Sequence, residues 1–240
     1  MEYSTDGGLS YPNSIIASTP AASGSYAWTI PDVIGNETRV KISDVLDATV
    51  YDTSNANFKI VGSFTLTLPN GGEVWLVGTS QNIIWTTLGS IANVKLEYSI
   101  DGGSTYPNTI IASTINTGSY SWTIPDSIGT TIKVKITDVL DPDATDTSDA
   151  NFKIKGVLTL TSPNGGEIWG VDETHDITWL KIGSIANVKL EYSTNGFSDE
   201  LQTTTIASSI PAADLSYSWT VPDAISSTIT VRVTDTKHIT

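Results

Sequence analysis

Five carboxylates crowd one stretch, "TDVLDPDATDTSDANF": Asp138, Asp141, Asp143, Asp146 and Asp149. Hard cations take roughly six to eight oxygen ligands, and clustered carboxylates at a domain edge can supply several of them, so this loop is a candidate calcium site. The spacing is not that of a twelve-residue EF-hand loop. An earlier stretch with the same phrasing carries Asp44, Asp47, Thr49, Asp52 and Asn55 at the matching places, so two of the five carboxylates are missing there. The alternative reading is a solvated hairpin. Asp32, Asp126 and Asp223 form a second recurrent set, each directly after a proline in "IPD" or "VPD". Paired carboxylates can serve as the acid and nucleophile of a glycosidase. A carboxylate that returns in the same place after every such strand reads instead as a turn cap.

Other catalytic chemistry has little to draw on. Cysteine is absent, which removes disulfides, thiolate metal sites and cysteine nucleophiles. His175 and His238 are the only histidines. His175 aligns with Gln81 at the start of a strand and reads as a strand residue with a solvated tip, while His238 lies in a terminal tail. No Ser/His/Asp grouping recurs, and no second histidine is placed to share a metal. The expectation is a protein that is not an enzyme, with no catalytic residue and, calcium apart, no cofactor.

Charge narrows the partners. Twelve Lys and Arg against 26 Asp and Glu give a net charge of −14 and a pI near 4.2. Such a surface repels phosphate backbones and anionic head groups, which argues against nucleic acid and against electrostatic membrane binding. No apolar run approaches the roughly 20 residues of a membrane span. The first residues lack the basic-then-apolar plan of a secretion signal, and residue 1 interrupts a repeated phrase, so the natural start is expected upstream.

These residues are positioned by repetition. Glu2, Glu97 and Glu191, each in "EYS", stand 95 and 94 residues apart; Trp28, Trp122 and Trp219 stand 94 and 97 apart. That period exceeds a solenoid unit of roughly 20–50 residues and suits a sandwich domain of about 100. The expected division is a partial repeat over 1–61 lacking its first two strands, a complete repeat over 62–155, and a repeat over 156–240 lacking its last strand. Within the complete copy the pattern has period two. Val94, Leu96 and Tyr98 face one way, with Lys95 and Glu97 the other; Ile132, Val134 and Ile136 point inward, with Lys133 and Lys135 in water. Seven strands with turn signals between them, and no useful 3.6-residue period, predict an all-β chain of tandem immunoglobulin- or fibronectin-like antiparallel sandwiches. Trp85 and Trp122 are the expected core anchors, and Trp75 and Trp169 are read as packing residues. One glycine, Gly62 or Gly156, marks each junction, too short for a flexible tether, so the copies are expected to form a semi-rigid rod.

The blocks "LPNGGEVW", "SPNGGEIW", "GSIANVKLEYS", "GSYSWTIP" and "DTSDANFKI" resemble the Ig-like repeat of the Ser/Thr-rich GPI-anchored membrane family. That family includes the N-terminal domain of yeast cell-wall-synthesis proteins, and similar repeats occur in tandem in bacterial surface and secreted proteins. The resemblance implies an extracellular cell-surface sandwich with no catalytic residues to carry over. Within it, Ser99-x-Asp101-x-Gly103-x-Thr105-Tyr106 looks like an Asp-box hairpin, as do Ser4, Asp6, Gly8, Ser10 and Tyr11; the third copy departs, with Asn195 and Phe197. Asp boxes are structural turns, the carboxylate capping amides.

Two functional classes remain from this reading. One is a structural surface stalk, or a filament in which incomplete ends meet head-to-tail by β-strand addition. Its partners are copies of itself or neighbouring repeats of a longer surface protein. The other is a carbohydrate- or cell-wall-binding module, for which Tyr11 and Tyr106 are the candidate ligand residues.

Overall fold

The computed structural model describes residues 1–237, so His238 lies outside the described residues. The chain is almost entirely β. In the first repeat the strands are β1 (Glu2–Ser4), β2 (Asn13–Ser14), β3 (Gly35–Ser43), β4 (Tyr51–Thr53) and β5 (Phe58–Ile60). The second has β6 (Ser63–Leu68), β7 (Val74–Leu76), β8 (Ser80–Leu88), β9 (Asn93–Ser99), β10 (Asn108–Ile115), β11 (Ser119–Thr123), β12 (Gly129–Asp138), β13 (Thr145–Thr147) and β14 (Phe152–Lys155). The third has β15 (Val157–Ser162), β16 (Thr174–Ile182), β17 (Asn187–Ser193), β18 (Thr203–Pro211), β19 (Ser216–Thr220) and β20 (Thr230–Asp235).

The second repeat is an immunoglobulin-like sandwich. One sheet runs β10-β9-β12-β14-β7, with β13 also on β12, and the other runs β11-β8-β6. Pairing is antiparallel throughout, except that β14 and β7 run parallel. Alternation decides which side chains meet between the sheets. Phe64 and Leu66 of β6, Ile83 and Trp85 of β8, Val94 and Leu96 of β9, and Ile132, Val134 and Ile136 of β12 are all buried in one cluster. Trp85 and Trp122 anchor it as expected, and Trp85 Nε1 donates to Asn116 Oδ1 at 2.7 Å, satisfying its polar edge. Nine strands replace the seven expected; β7 and β13, three residues each, are too short to show a period. Trp75 is buried on β7, its ring 4.9 Å from that of Phe152.

The third repeat packs β15-β16-β19 against β18-β17-β20 around Ile177, Trp179, Val188, Leu190 and Trp219. The first repeat forms one sheet, β2-β1-β3-β4 with β5 also on β3. Its Ser25–Thr29 segment, "SYAWT", lies in no strand, although nearly the same words form β11 and β19. Those strands pair with β8 and β16, for which the first repeat has no counterpart, so here the ladder partner rather than local propensity makes the strand. No helix among the described residues is long and apolar enough to cross a membrane.

The outer face of the second repeat is less solvated than expected: Lys133 and Lys135 are half-buried, and Glu97 is buried, held by Lys95 Nζ at 2.6 Å and Lys135 Nζ at 3.0 Å. Burial pushes its carboxyl up, and the lysine hydrogen bonds more than offset this, leaving it below the usual range. Glu191 repeats the arrangement with Lys189 and with Arg232, the latter at 3.0 Å.

Candidate functional site

The chemistry-bearing residues gather at the joints between repeats. Asp32 follows the last residues of "SYAWTIP" and reaches into the turn between β8 and β9. There Ser90 donates its backbone N–H to Asp32 Oδ1 at 2.9 Å and its hydroxyl to Oδ2 at 2.5 Å. The Ser90 hydroxyl, then its amide, holds the Asp32 carboxyl below the ordinary value. Asp126 does the same to Ser184 in the turn between β16 and β17, taking the amide at 2.8 Å and the hydroxyl as well. The clasping pairs are each 58 residues apart.

Both turns require glycine. Gly89 and Gly183 have φ of +91°, a left-handed conformation that side chains disfavour. A Cβ on Gly89 would stand 3.0 Å from Ile34 Cδ1 and 3.3 Å from Asp32 Oδ1; on Gly183 it would stand 3.1 Å from both Asp126 Oδ1 and Ile128 Cδ1. The junction glycines act by close approach. A Cβ on Gly62 would meet Ile91 Cδ1 at 2.7 Å and Leu88 O at 2.8 Å; on Gly156 it would meet Ile185 Cγ1 at 2.7 Å and Ile182 O at 2.8 Å. Ile34 packs onto the second repeat's cluster and Ile128 onto the third's. Each joint is therefore a carboxylate clasp beside an isoleucine contact, closed over a glycine that leaves no room for a side chain.

The five loop carboxylates are distributed rather than gathered. Asp138 accepts from the Leu140 amide at 2.9 Å, Asp146 from the Leu66 amide at 2.6 Å and Asp149 from Asn70 Nδ2 at 2.8 Å. Asp141 and Asp143 both receive Lys59 Nζ of the first repeat, at 2.5 and 2.6 Å, adding an ion pair to the first joint. That pairing, with Asp141 first, raises the Lys59 pKa, and Lys59 in turn holds Asp141 below its usual range. Among the described residues no group of three acidic or histidine side chains is arranged to hold a metal ion. In this arrangement the five carboxylates face separate donors, except that Asp141 and Asp143 share Lys59.

Tyr11 and Tyr106 lie on the Asp-box hairpins. Ser99 donates its hydroxyl to Asp101 at 2.6 Å, and Asp101 caps Thr105 through its amide at 3.0 Å and its hydroxyl at 2.6 Å. Asp6 makes the same bonds with Ser4 and Ser10. Lys135 Nζ sits 4.8 Å from the Tyr106 ring centre, and Lys41 Nζ 5.7 Å from that of Tyr11, so an ammonium already occupies one face of each ring. In the third copy Phe197 takes the left-handed turn position of Gly103 at φ +60°, and its ring meets the Arg232 guanidinium at 4.3 Å. His175 stacks on Trp169, centroids 4.5 Å apart, and hydrogen-bonds Glu173 at 2.9 Å.

The "IPD" aspartates are turn caps, as their recurrence suggests, but the turn each one caps belongs to the following repeat. The available signal was the recurrence of "IPD" and "GSIAN" at one fixed separation.

No protein-family model and no curated protein sequence matches this chain. Among solved structures, the fibronectin(III)-like modules of Clostridium thermocellum CbhA are similar at 19% identity and a TM-score of 0.26, over 72% of this chain and 85% of that one. Escherichia coli alpha-2-macroglobulin activated by porcine elastase is similar at 10% identity and a TM-score of 0.28, over 73% of this chain and 17% of that one. Likenesses at these scores add nothing to the argument, and the sandwich fold rests on the strand pairing above.

Proposed function

We propose that the chain is a non-catalytic structural rod of one repeated immunoglobulin-like unit, partial over 1–61, complete over 62–155 and lacking its last strand over 156–240, with the repeats held at fixed tilt to serve as a stalk at a cell surface or in an extracellular fibre. The observation that carries this reading is the same Asp–Ser clasp at both joints, with the same isoleucine contact and the same sterically closed glycine. A flexible tether would need none of these. The acidic surface suits an extended, soluble array that resists lateral association.

Small-angle scattering tests it. The parent chain should give a single elongated profile, and the double variant D32A/D126A a broader distribution of maximum dimension. Identical profiles for the two would remove the clasps as rod-forming devices. The carbohydrate-binding alternative would have to use the remaining face of Tyr11 or Tyr106, one face of each being taken by a lysine ammonium.

A further inference from the structure

We propose that Asn195 is a site of spontaneous covalent modification in the folded chain: its side-chain amide is lost through a cyclic imide, leaving aspartate and isoaspartate, while two chemically identical Asn-Gly pairs are kept intact by their hydrogen bonds. This chemistry is independent of the rod reading.

The Asn-Gly pairs are Asn70-Gly71, Asn164-Gly165 and Asn195-Gly196. In such a pair the backbone nitrogen of the glycine, having lost its proton to solvent base, can bond to the asparagine side-chain carbon Cγ. Glycine leaves that approach open because it has no Cβ. The Cγ–Nδ2 bond then breaks, ammonia departs with a proton taken from water, and a cyclic imide remains. Water opens the imide at either carbonyl, restoring the main chain as aspartate or rerouting it through the side chain as isoaspartate. Two requirements follow. The glycine nitrogen must be free to lose its proton and turn, and the negative charge that gathers on Oδ1 must be stabilised.

Asn70 and Asn164 fail the first requirement. Gly71 donates its N–H to Glu73 Oε2 at 2.9 Å, and Gly165 donates to Glu167 Oε2 at 2.7 Å. A carboxylate against the amide opposes the anion that attack requires. Asn70 is held a second time, since its Nδ2 donates to Asp149 Oδ2 at 2.8 Å and its Oδ1 accepts the Asp149 amide at 2.7 Å.

Asn195 meets both requirements. In the two Asp-box hairpins the matching glycine amide is tied to the neighbouring strand, Gly7 to Glu37 O and Gly102 to Thr131 O, each at 2.8 Å. Among the described residues the Gly196 N–H has no such acceptor. The cause lies in local sequence. Where the second repeat reads "GTT" over 129–131 the third reads "SST" over 226–228. There the hydroxyls of Ser226 and Thr228 donate to Thr194 O at 3.1 and 2.6 Å, and Thr228 donates its amide to Ser226 Oγ at 3.1 Å. Ser193 supplies the second requirement. Its oxygen accepts the amides of Asn195 and Phe197, both at 3.2 Å, so its proton goes to Asn195 Oδ1, 2.5 Å away. Attack at Cγ turns that oxygen into an oxyanion with its donor already in place. Gly196 is exposed, so solvent base and water reach it.

Either product disturbs the hairpin. Asp6 and Asp101 each cap the residue four places on, but four places beyond Asn195 stands Asp199, so an aspartate at 195 would face a second carboxylate. Isoaspartate lengthens the main chain just before Phe197, which already sits at φ +60° with its ring against Arg232. The Phe197 contact with Arg232 is the one that modification releases.

Peptide mapping by mass spectrometry tests the proposal. In the folded chain stored at neutral pH, the amide should be lost at Asn195 about tenfold faster than at Asn70 or Asn164, the factor that one hydrogen bond carries. Two products of equal mass, separable by chromatography, are expected at that peptide. In urea, where these hydrogen bonds are gone, the three rates should converge. N195Q keeps an amide but would need a larger ring, and should end the mass change at that peptide alone. A folded Asn195 as slow as Asn70 would overturn the proposal. So would a ranking that persists in urea, since flanking sequence rather than hydrogen bonding would then set it.

Discussion

Asp126 holds Ser184 as Asp32 holds Ser90: one carboxylate takes both the amide and the hydroxyl of a serine that begins the next repeat's turn. A carboxylate that accepts both bonds fixes direction as well as distance, so each clasp restrains its joint in the same way. Removing either carboxylate should leave the β content unchanged by circular dichroism while the serine amide behind it exchanges faster with deuterium. Unchanged protection of Ser90 in D32A would show that the isoleucine contact alone sets the joint.

The turn glycines should be the least replaceable residues of the joint. G89A and G183A place a side chain in a left-handed conformation, costing about 1–2 kcal/mol, and press a Cβ against the clasp. Urea unfolding would read the loss, and a change of only a few tenths of a kcal/mol would mean the turn relaxes without strain.

Tryptophan truncation should separate the repeats. W122A empties a closed sandwich core and is expected to destabilise by about 3–5 kcal/mol. W28A removes a half-buried ring that packs on Tyr3 and Phe58 beside a single sheet, and should cost less than half as much. Calorimetric melting of the two variants would check the order.

Acid should distinguish the hairpins. The Ser99 hydroxyl, then the Thr105 hydroxyl and amide, hold Asp101 well below the usual carboxylate range. A depressed folded-state pKa stabilises the hairpin above the unfolded value of about 3.9, and this contribution is lost as pH falls through the folded value. Asn195 of the third hairpin does not titrate. The Thr105 amide resonance should therefore move at low pH while that of Phe197 stays; equal movement would place the transition elsewhere.

Calcium should leave the melting midpoint unchanged, because the five carboxylates of residues 138–149 are spent on separate amides, Asn70 and Lys59. A rise in calcium over chelator would require those bonds to be exchanged for the ion.

Much of this was legible along the chain. The period of "EYS" and of tryptophan, the alternation in "NVKLEYS" and the glycine turns determine an all-β repeat and its inward faces, because side-chain period and chain reversal are local properties. The Asp-box hairpins were legible for the same reason, since their bonds span four residues or fewer. What acts between distant strands and repeats was not. That Glu97 is buried beneath Lys135 as well as its neighbour Lys95, that Asp32 belongs to Ser90, that Asp141 belongs to Lys59, and that the "SY-x-WT" words form a strand only where β8 or β16 lies beside them each depend on a partner dozens of residues away. Pairing, desolvation and enclosure exist only once two sheets and two repeats meet, so the tertiary structure alone decided which aspartates became joints.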